Sequence, residues 1–166
     1  MTAQQLIHIL DLQEHPEGGF YRETYRSDGS IPASHLAKTI DGERNFSTCI
    51  YFLLTAEKFS AFHKINQDEI WHFYQGSPIK LHSISPNGKL ESYIIGPDIL
   101  NGEHPQLVVP AGCWFAAEVN QGGDFALMGC TVSPGFDFED FQLAQREELS
   151  QMFPKHNGLI VQFTRQ

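Results

Sequence analysis

Basic residues are scarce: 11 Lys and Arg stand against 20 Asp and Glu, for a formal net charge of −9, and no Lys/Arg cluster occurs. Such a surface repels a phosphate backbone rather than neutralising it, which excludes DNA and RNA as partners. Cysteine is equally sparse. Cys49, Cys113 and Cys130 sit in apolar, strand-like segments without the Cys-x-x-Cys spacing of metal or redox sites, so they read as buried free thiols. Long apolar runs are missing too. Met1 to Leu12 carries His8 and Asp11 and has neither a basic start nor a continuous apolar core, so neither a signal peptide nor a membrane anchor is expected, and a cytoplasmic location is. There is no internal repeat, low-complexity tract or linker. The 166 residues therefore predict one domain, 1–166, long enough to bury a core without disulfides or a structural metal.

What the chain does have is 13 Phe, 14 Gly and 9 Pro, a composition of short strands and many turns. Thr2 can cap a short helix bearing Leu6, Ile9 and Leu10 at helical spacing, ending before His15-Pro16-Glu17-Gly18-Gly19. Phe20 to Tyr25 alternates as a strand, with Phe20, Arg22 and Thr24 on one face and Tyr21, Glu23 and Tyr25 on the other. Ser27 to Arg44 reads as a long loop or lid. Eight apolar stretches follow: Ser47–Leu54, Phe59–Lys64, Glu69–Tyr74, Ile79–Ile84, Lys89–Ile95, Gln106–Val109, Cys113–Val119 and Phe125–Ser133. Turn residues separate them, Asn87-Gly88 being the clearest hairpin, and the spacing is that of a sandwich or barrel. Glu139 to Met152 has helical periodicity, the acids Asp137, Glu139 and Asp140 read as a solvated helix start, and Leu159–Phe163 reads as a strand.

The densest chemistry lies between Phe62 and Gly76. His63 and Glu69 flank a turn at an even offset, so both can point to one face of a hairpin, shared with Ile65, Trp71 and Phe73. His72 has the opposite parity and faces away. Two readings of His63 and Glu69 stand side by side. One is a hydrogen-bonded polar pair retained in a narrow interior; the other is a ligand-binding or acid/base pair, because imidazole titrates near neutrality and a carboxylate can fix its tautomer. Trp71, Phe73, Trp114 and Phe115 supply core or the walls of a small-molecule pocket. Arg22 is either a surface partner of Glu23 or, at a barrel mouth, a fork for phosphate or carboxylate.

These residues resemble the cupin superfamily. His63, Glu69 and Gly76 fall on the first histidine, the glutamate and the glycine of its first motif, while Ile65 stands for the second histidine. Pro110-Ala111-Gly112 matches the turn of the second motif, with Phe115 where its histidine belongs. More narrowly, the chain resembles the uncharacterised cupin 5 (DUF985) family, through His15 to Gly19, Tyr21-Arg22-Glu23, Ser60 to Gly76 around Asp68-Glu69-Ile70-Trp71-His72, Val109 to Phe115, and Pro134-Gly135-Phe136 through Asp140-Phe141. The resemblance implies a mainly β double-stranded β-helix, a cupin or jelly-roll barrel, with a short N-terminal and a C-terminal helix.

Two of the four metal-ligand positions are apolar, and two donors fall short of a divalent site, so neither a metal nor another cofactor is expected. The leading expectation is a small organic ligand held in the barrel by His63, Glu69, Trp71, Phe73, Phe115, Tyr51 and Arg22. The alternative is a metal-independent isomerase or epimerase of a sugar or nucleotide-sugar, by analogy with metal-free cupins, with His63 and Tyr74 or Tyr51 moving the proton. A metal-dependent cupin enzyme ranks below both. Sheet edges that need covering point to a homodimer.

Overall fold

Alternating apolar residues punctuated by turn formers fold here into strands that bury one face against a second sheet. The computed structural model describes residues 1–165. It contains α1 (Ala3–Ile9), β1 (Gln13–Glu14), β2 (Phe20–Arg26), β3 (Ser30–Ile31), β4 (Arg44–Asn45), β5 (Thr48–Thr55), β6 (Ser60–Lys64), β7 (Asp68–Gly76), β8 (Ile79–Ile84), β9 (Leu90–Ile95), β10 (Gln106–Val109), β11 (Trp114–Val119), β12 (Phe125–Ser133), β13 (Gln142–Leu143), α2 (Arg146–Met152) and α3 (Asn157–Gln162). A six-stranded sheet runs β1-β2-β5-β12-β7-β10 and a five-stranded sheet β13-β6-β11-β8-β9. The chain passes repeatedly from one to the other, which is the winding of a double-stranded β-helix. Phe52, Trp71 and Met128 from the large sheet meet Leu81, Ile95 and Phe115 from the small one in a common core.

The outer faces are covered separately. Phe62, Ile84 and Trp114, on the outer face of the small sheet, pack under Leu149, Phe153, Ile160 and Phe163 of the C-terminal segment. Leu6 and Leu12, from and just after α1, pack on Leu53, Phe125 and Leu127 of the large sheet. Thr2 starts α1 with a capping box, its hydroxyl accepting from the Gln5 N–H while the Gln5 side chain accepts from the Thr2 N–H. Asn87-Gly88 does turn β8 into β9, in a loop closed between Ser85 and Lys89 with Gly88 at φ 81°.

Three local expectations are corrected. β6 and β7 do not form a hairpin: they belong to different sheets, and Ile65 to Gln67 crosses from one to the other. The Leu159–Phe163 stretch is helical rather than extended, because Leu159, Ile160 and Phe163 form one face that seats on Phe62 and Trp114. Asp140 is not solvated. It is 5% exposed and accepts from Arg44 Nε at 2.8 Å and Nη2 at 3.1 Å, with Asn66 and Gln67 also donating to it. That pair ties the end of the 27–44 segment, which itself holds the short β3–β4 ribbon, to the segment carrying Phe138 and Phe141.

Candidate functional site

Between the sheets lies a cavity of about 360 Å³. His63 projects into it from β6 because Phe62, its neighbour, is committed to the helical layer outside. Its Nδ1 lies 2.7 Å from the Ala61 carbonyl oxygen. A carbonyl only accepts, so Nδ1 carries a proton and neutral His63 presents the Nε2 lone pair to the cavity.

That lone pair meets Glu17 Oε2 at 3.0 Å. Glu17 arrives from the turn between β1 and β2, where Gly18 and Gly19 take φ 114° and 74°. A Cβ at Gly18 would strike the Phe59 carbonyl, so glycine is what lets this turn lie against the start of β6. There Ala61 N–H donates to the Glu17 carbonyl at 2.8 Å and Ser60 Oγ donates to Glu17 Oε1 at 2.7 Å. His15, from the same turn, accepts the Glu17 backbone N–H on Nδ1 at 3.3 Å and stands 3.3 Å from Glu17 Oε2. Two imidazole lone pairs thus converge on one carboxyl oxygen.

Electrostatics decides where the proton sits. Burial pushes His63 down to about 3 and His15 down to about 4. Burial and the neighbouring Glu69 charge push Glu17 well above the carboxylate range, against the Ser60 hydrogen bond. Near neutral pH both rings are therefore neutral and Glu17 is a carboxylic acid whose O–H donates to His63, with His15 as second acceptor. Glu69 is also buried, and desolvation raises it to about 7 against the opposing pull of the Cys130 thiol and Trp71 indole.

Aromatic rings wall the cavity: Tyr21, Phe52, Trp71, Phe136, Phe138 and Phe141. His15 lies edge-on to Tyr21 at 4.6 Å and stacks toward Phe138 at 5.9 Å. At the rim Arg26 is already bound, donating to both oxygens of Glu23, to Asn45 Oδ1 and to the Phe136 carbonyl.

Of the residues singled out from sequence, the fold brings His63, Glu69 and Trp71 to the cavity wall. Phe115 packs behind His63 at 4.0 Å between ring centroids and edge-on to Trp71 at 6.3 Å. Phe73 sits further along the core. Tyr74, Tyr51 and Arg22 do not reach the cavity. Tyr74 shares the strand face of His72, is 49% exposed, and its ring lies over Gly129 and edge-on to Tyr51 on the outer face. Arg22 stands over Tyr51 at 5.9 Å. After the β2 bulge it is Arg26 that faces the rim, and with both rings on the outer face neither tyrosine is placed to exchange a proton with His63 across the cavity. His72 faces outward, as its parity predicts, next to Thr131 Oγ1 at 3.1 Å. The residues that sequence reasoning left without a role are His15, Glu17, Tyr21, Phe136, Phe138 and Phe141; the His-Pro-Glu-Gly-Gly run was the signal, since a histidine and a glutamate beside a Gly-Gly turn are placed by backbone constraint.

A metal does not fit these donors. Ile65 and Phe115 offer none, His63 Nε2 is engaged by Glu17, and no group of three or more His, Cys, Asp or Glu converges in metal-holding geometry among the described residues.

Two facing sheets wound as a double-stranded β-helix around a polar-floored cavity define a cupin-fold protein. The chain belongs to the family described as Cupin superfamily (DUF985), whose model matches residues 4–144. It is similar to the uncharacterised protein YML079W of Saccharomyces cerevisiae, 36% identical over 159 residues covering 89% of this chain and 77% of that one. Among solved structures it resembles a protein of Shewanella oneidensis, 41% identical with a TM-score of 0.89 over 99% of this chain and 98% of that one. A hypothetical protein of Leishmania major aligns over 100% of both chains at 31% identity and a TM-score of 0.92. A Bacillus subtilis oxalate decarboxylase, at 13% identity and a TM-score of 0.55 over 93% of this chain and 37% of that one, shares the fold alone. No helix among the described residues is long and apolar enough to cross a membrane.

Proposed function

We propose that the protein binds a small, uncharged organic molecule in the cavity between its sheets. The carrying observation is the cavity itself: about 360 Å³ of space with six aromatic side chains on its wall and a buried floor of His15, Glu17, His63 and Glu69. This is the composition of a small-molecule site, apolar surface with a few placed polar groups. An anion is disfavoured, because the rim guanidinium is spent on Glu23 and the floor carries carboxyls. A thermal-shift screen of neutral sugars, nucleosides and heterocycles tests the reading on the wild type and on Val132→Phe, which fills the cavity. A ligand at a hundredfold excess over its Kd stabilises by about 2.7 kcal/mol, a shift of several degrees. Stabilisation that disappears in Val132→Phe is the expected result; stabilisation that persists there, or none from any class, overturns the proposal.

A second reading, metal-independent isomerisation of a sugar or nucleotide-sugar, draws on the proton shared by Glu17 and the two imidazoles. With Tyr51 and Tyr74 outside, His63 would work against Glu69. Solvent deuterium incorporation into a keto-sugar nucleotide by the wild type, lost in His63→Ala, supports it; equal or absent incorporation in both removes it.

A further inference from the structure

One buried polar atom on the cavity wall lacks a partner, and it points to a ligand. Three buried side-chain polar atoms lack a hydrogen-bond partner among the described residues: Gln67 Oε1, Trp71 Nε1 and Ser150 Oγ. Of these residues only Trp71 lines the cavity. The indole is 1% exposed and held edge-on by Phe52 at 5.5 Å and by Phe115 at 6.3 Å, so it is not free to swing toward another acceptor. A buried N–H left unpaired is rare in a folded protein and marks a place where something else accepts.

Glu69 lies two residues earlier on β7, hence on the same face. The Trp71 indole is close enough to influence the Glu69 carboxyl yet out of hydrogen-bond geometry with it. Around that pair His63 is held by the Ala61 carbonyl and Glu17, Glu17 by Ser60 and the imidazoles, and Arg26 by Glu23, Asn45 and Phe136. Glu69 and Trp71 thus stand side by side on β7 as an acceptor and a buried, unpaired donor.

We infer that the cavity takes a planar lactam heterocycle, a ring presenting an N–H beside a C=O, with the Glu69 carboxylate accepting the N–H and the Trp71 indole N–H donating to the C=O. The inference rests on the small-molecule reading above and names its ligand class. A lactam edge offers the complementary pair in one plane, and its ring faces can stack on the aromatic wall. An amine would satisfy Glu69 and leave Trp71 unpaired. A sugar brings several hydroxyls to a largely aromatic wall, where most of them would lose water without gaining a partner.

Isothermal titration calorimetry with uracil and hypoxanthine as probes tests this, with 1,3-dimethyluracil and glucose as controls. Dimethyluracil keeps the ring and both carbonyls but has no N–H. At least one lactam is expected to bind, dimethyluracil at least about tenfold more weakly, and Trp71→Phe, which keeps the ring and loses the donor, is expected to weaken the lactam about tenfold. Glu69→Met, which removes the acceptor at similar volume, is expected to do the same, and unliganded melting curves show which variants fold. Dimethyluracil binding as tightly as uracil, or full lactam affinity in a folded Trp71→Phe, overturns the inference. Glucose binding while both lactams fail overturns it and leaves the small-molecule reading intact. Failure of these probes together with an empty thermal-shift screen removes both.

Discussion

Replacing Glu17 with Gln separates a neutral floor from a charged one. In the neutral arrangement Glu17 Oε1 accepts from Ser60 and the acid O–H on Oε2 faces two lone pairs, His63 Nε2 at 3.0 Å and His15 Nδ1 at 3.3 Å. A glutamine has the same shape, keeps the acceptor for Ser60 and offers two N–H donors where the acid had one. One neutral hydrogen bond replaces another, so at about pH 4.5 and below, where Glu17 holds its proton folded or unfolded, Glu17→Gln should change stability by no more than about 1 kcal/mol, in either direction. Were Glu17 instead a carboxylate paired with protonated His63, the same substitution would strand a buried imidazolium and cost about 3–5 kcal/mol.

The pH dependence sharpens the test. Glu17 has a folded pKa raised above the unfolded 4.5, so between those values the folded state holds a proton that the unfolded chain has released. Its contribution is complete below 4.5 and is lost as pH rises toward the folded value. Glu17→Gln lacks that loss and should gain on the wild type by up to about 1.4 kcal/mol per pH unit above 4.5. Urea denaturation of both proteins from about pH 5 to pH 7.5 reads the difference directly. A destabilisation beyond about 3 kcal/mol at neutral pH, or a difference that moves the opposite way with pH, would refute the neutral floor.

The Arg44–Asp140 pair, with side chains 4% and 2% exposed, should behave as a buried ion pair. Arg44→Met alone is expected to cost about 3–5 kcal/mol in a denaturant titration, and Arg44→Met with Asp140→Leu distinctly less; equal costs would argue against the pair. Burial opposes ionisation of Asp140, but hydrogen bonds from Arg44, Gln67 and Asn66 hold its pKa below the usual 3.8, so its contribution is present above 3.8 and fades in more acid solution. Gly18→Ala puts a methyl against the Phe59 carbonyl at φ 114° and should cost about 2–4 kcal/mol by thermal melting; a neutral outcome would mean that the turn can move away from β6. Since the cavity's donors do not suit a metal, chelator dialysis should leave melting temperature and ligand affinity unchanged, and a fall in either would reopen metal chemistry. The proposed homodimer, for which β10 ends the large sheet with Val108 49% exposed, should give twice the chain mass by light scattering; a monomer persisting at high concentration would count against it.

Much of the site's parity was written in the sequence even though its architecture was not. His63, Glu69 and Trp71 share the cavity because strand alternation fixes which residues face inward, and that survives the change from hairpin to sheet crossing: the faces that a hairpin would have put side by side now look at each other. Alternation fails where the backbone slips. Tyr74 shares the outward parity of His72, and Arg22 lies opposite Tyr21 and Glu23 by alternation alone; it is the irregularity in β2 after Glu23 that brings Arg26 onto the face of Tyr21 and Glu23, at the rim. That slip has no marker in residue type.

By itself the sequence determined the strands from Thr48 to Ser133, the turns between them and the family, since these depend on short-range alternation and turn chemistry. Only the tertiary structure decided that His15 and Glu17 complete the floor with His63. Their meeting depends on a glycine turn closing against a strand more than forty residues away, where the loss of water sets which of them keeps the proton. Desolvation depends on what surrounds a group in space, and local sequence patterns do not contain it.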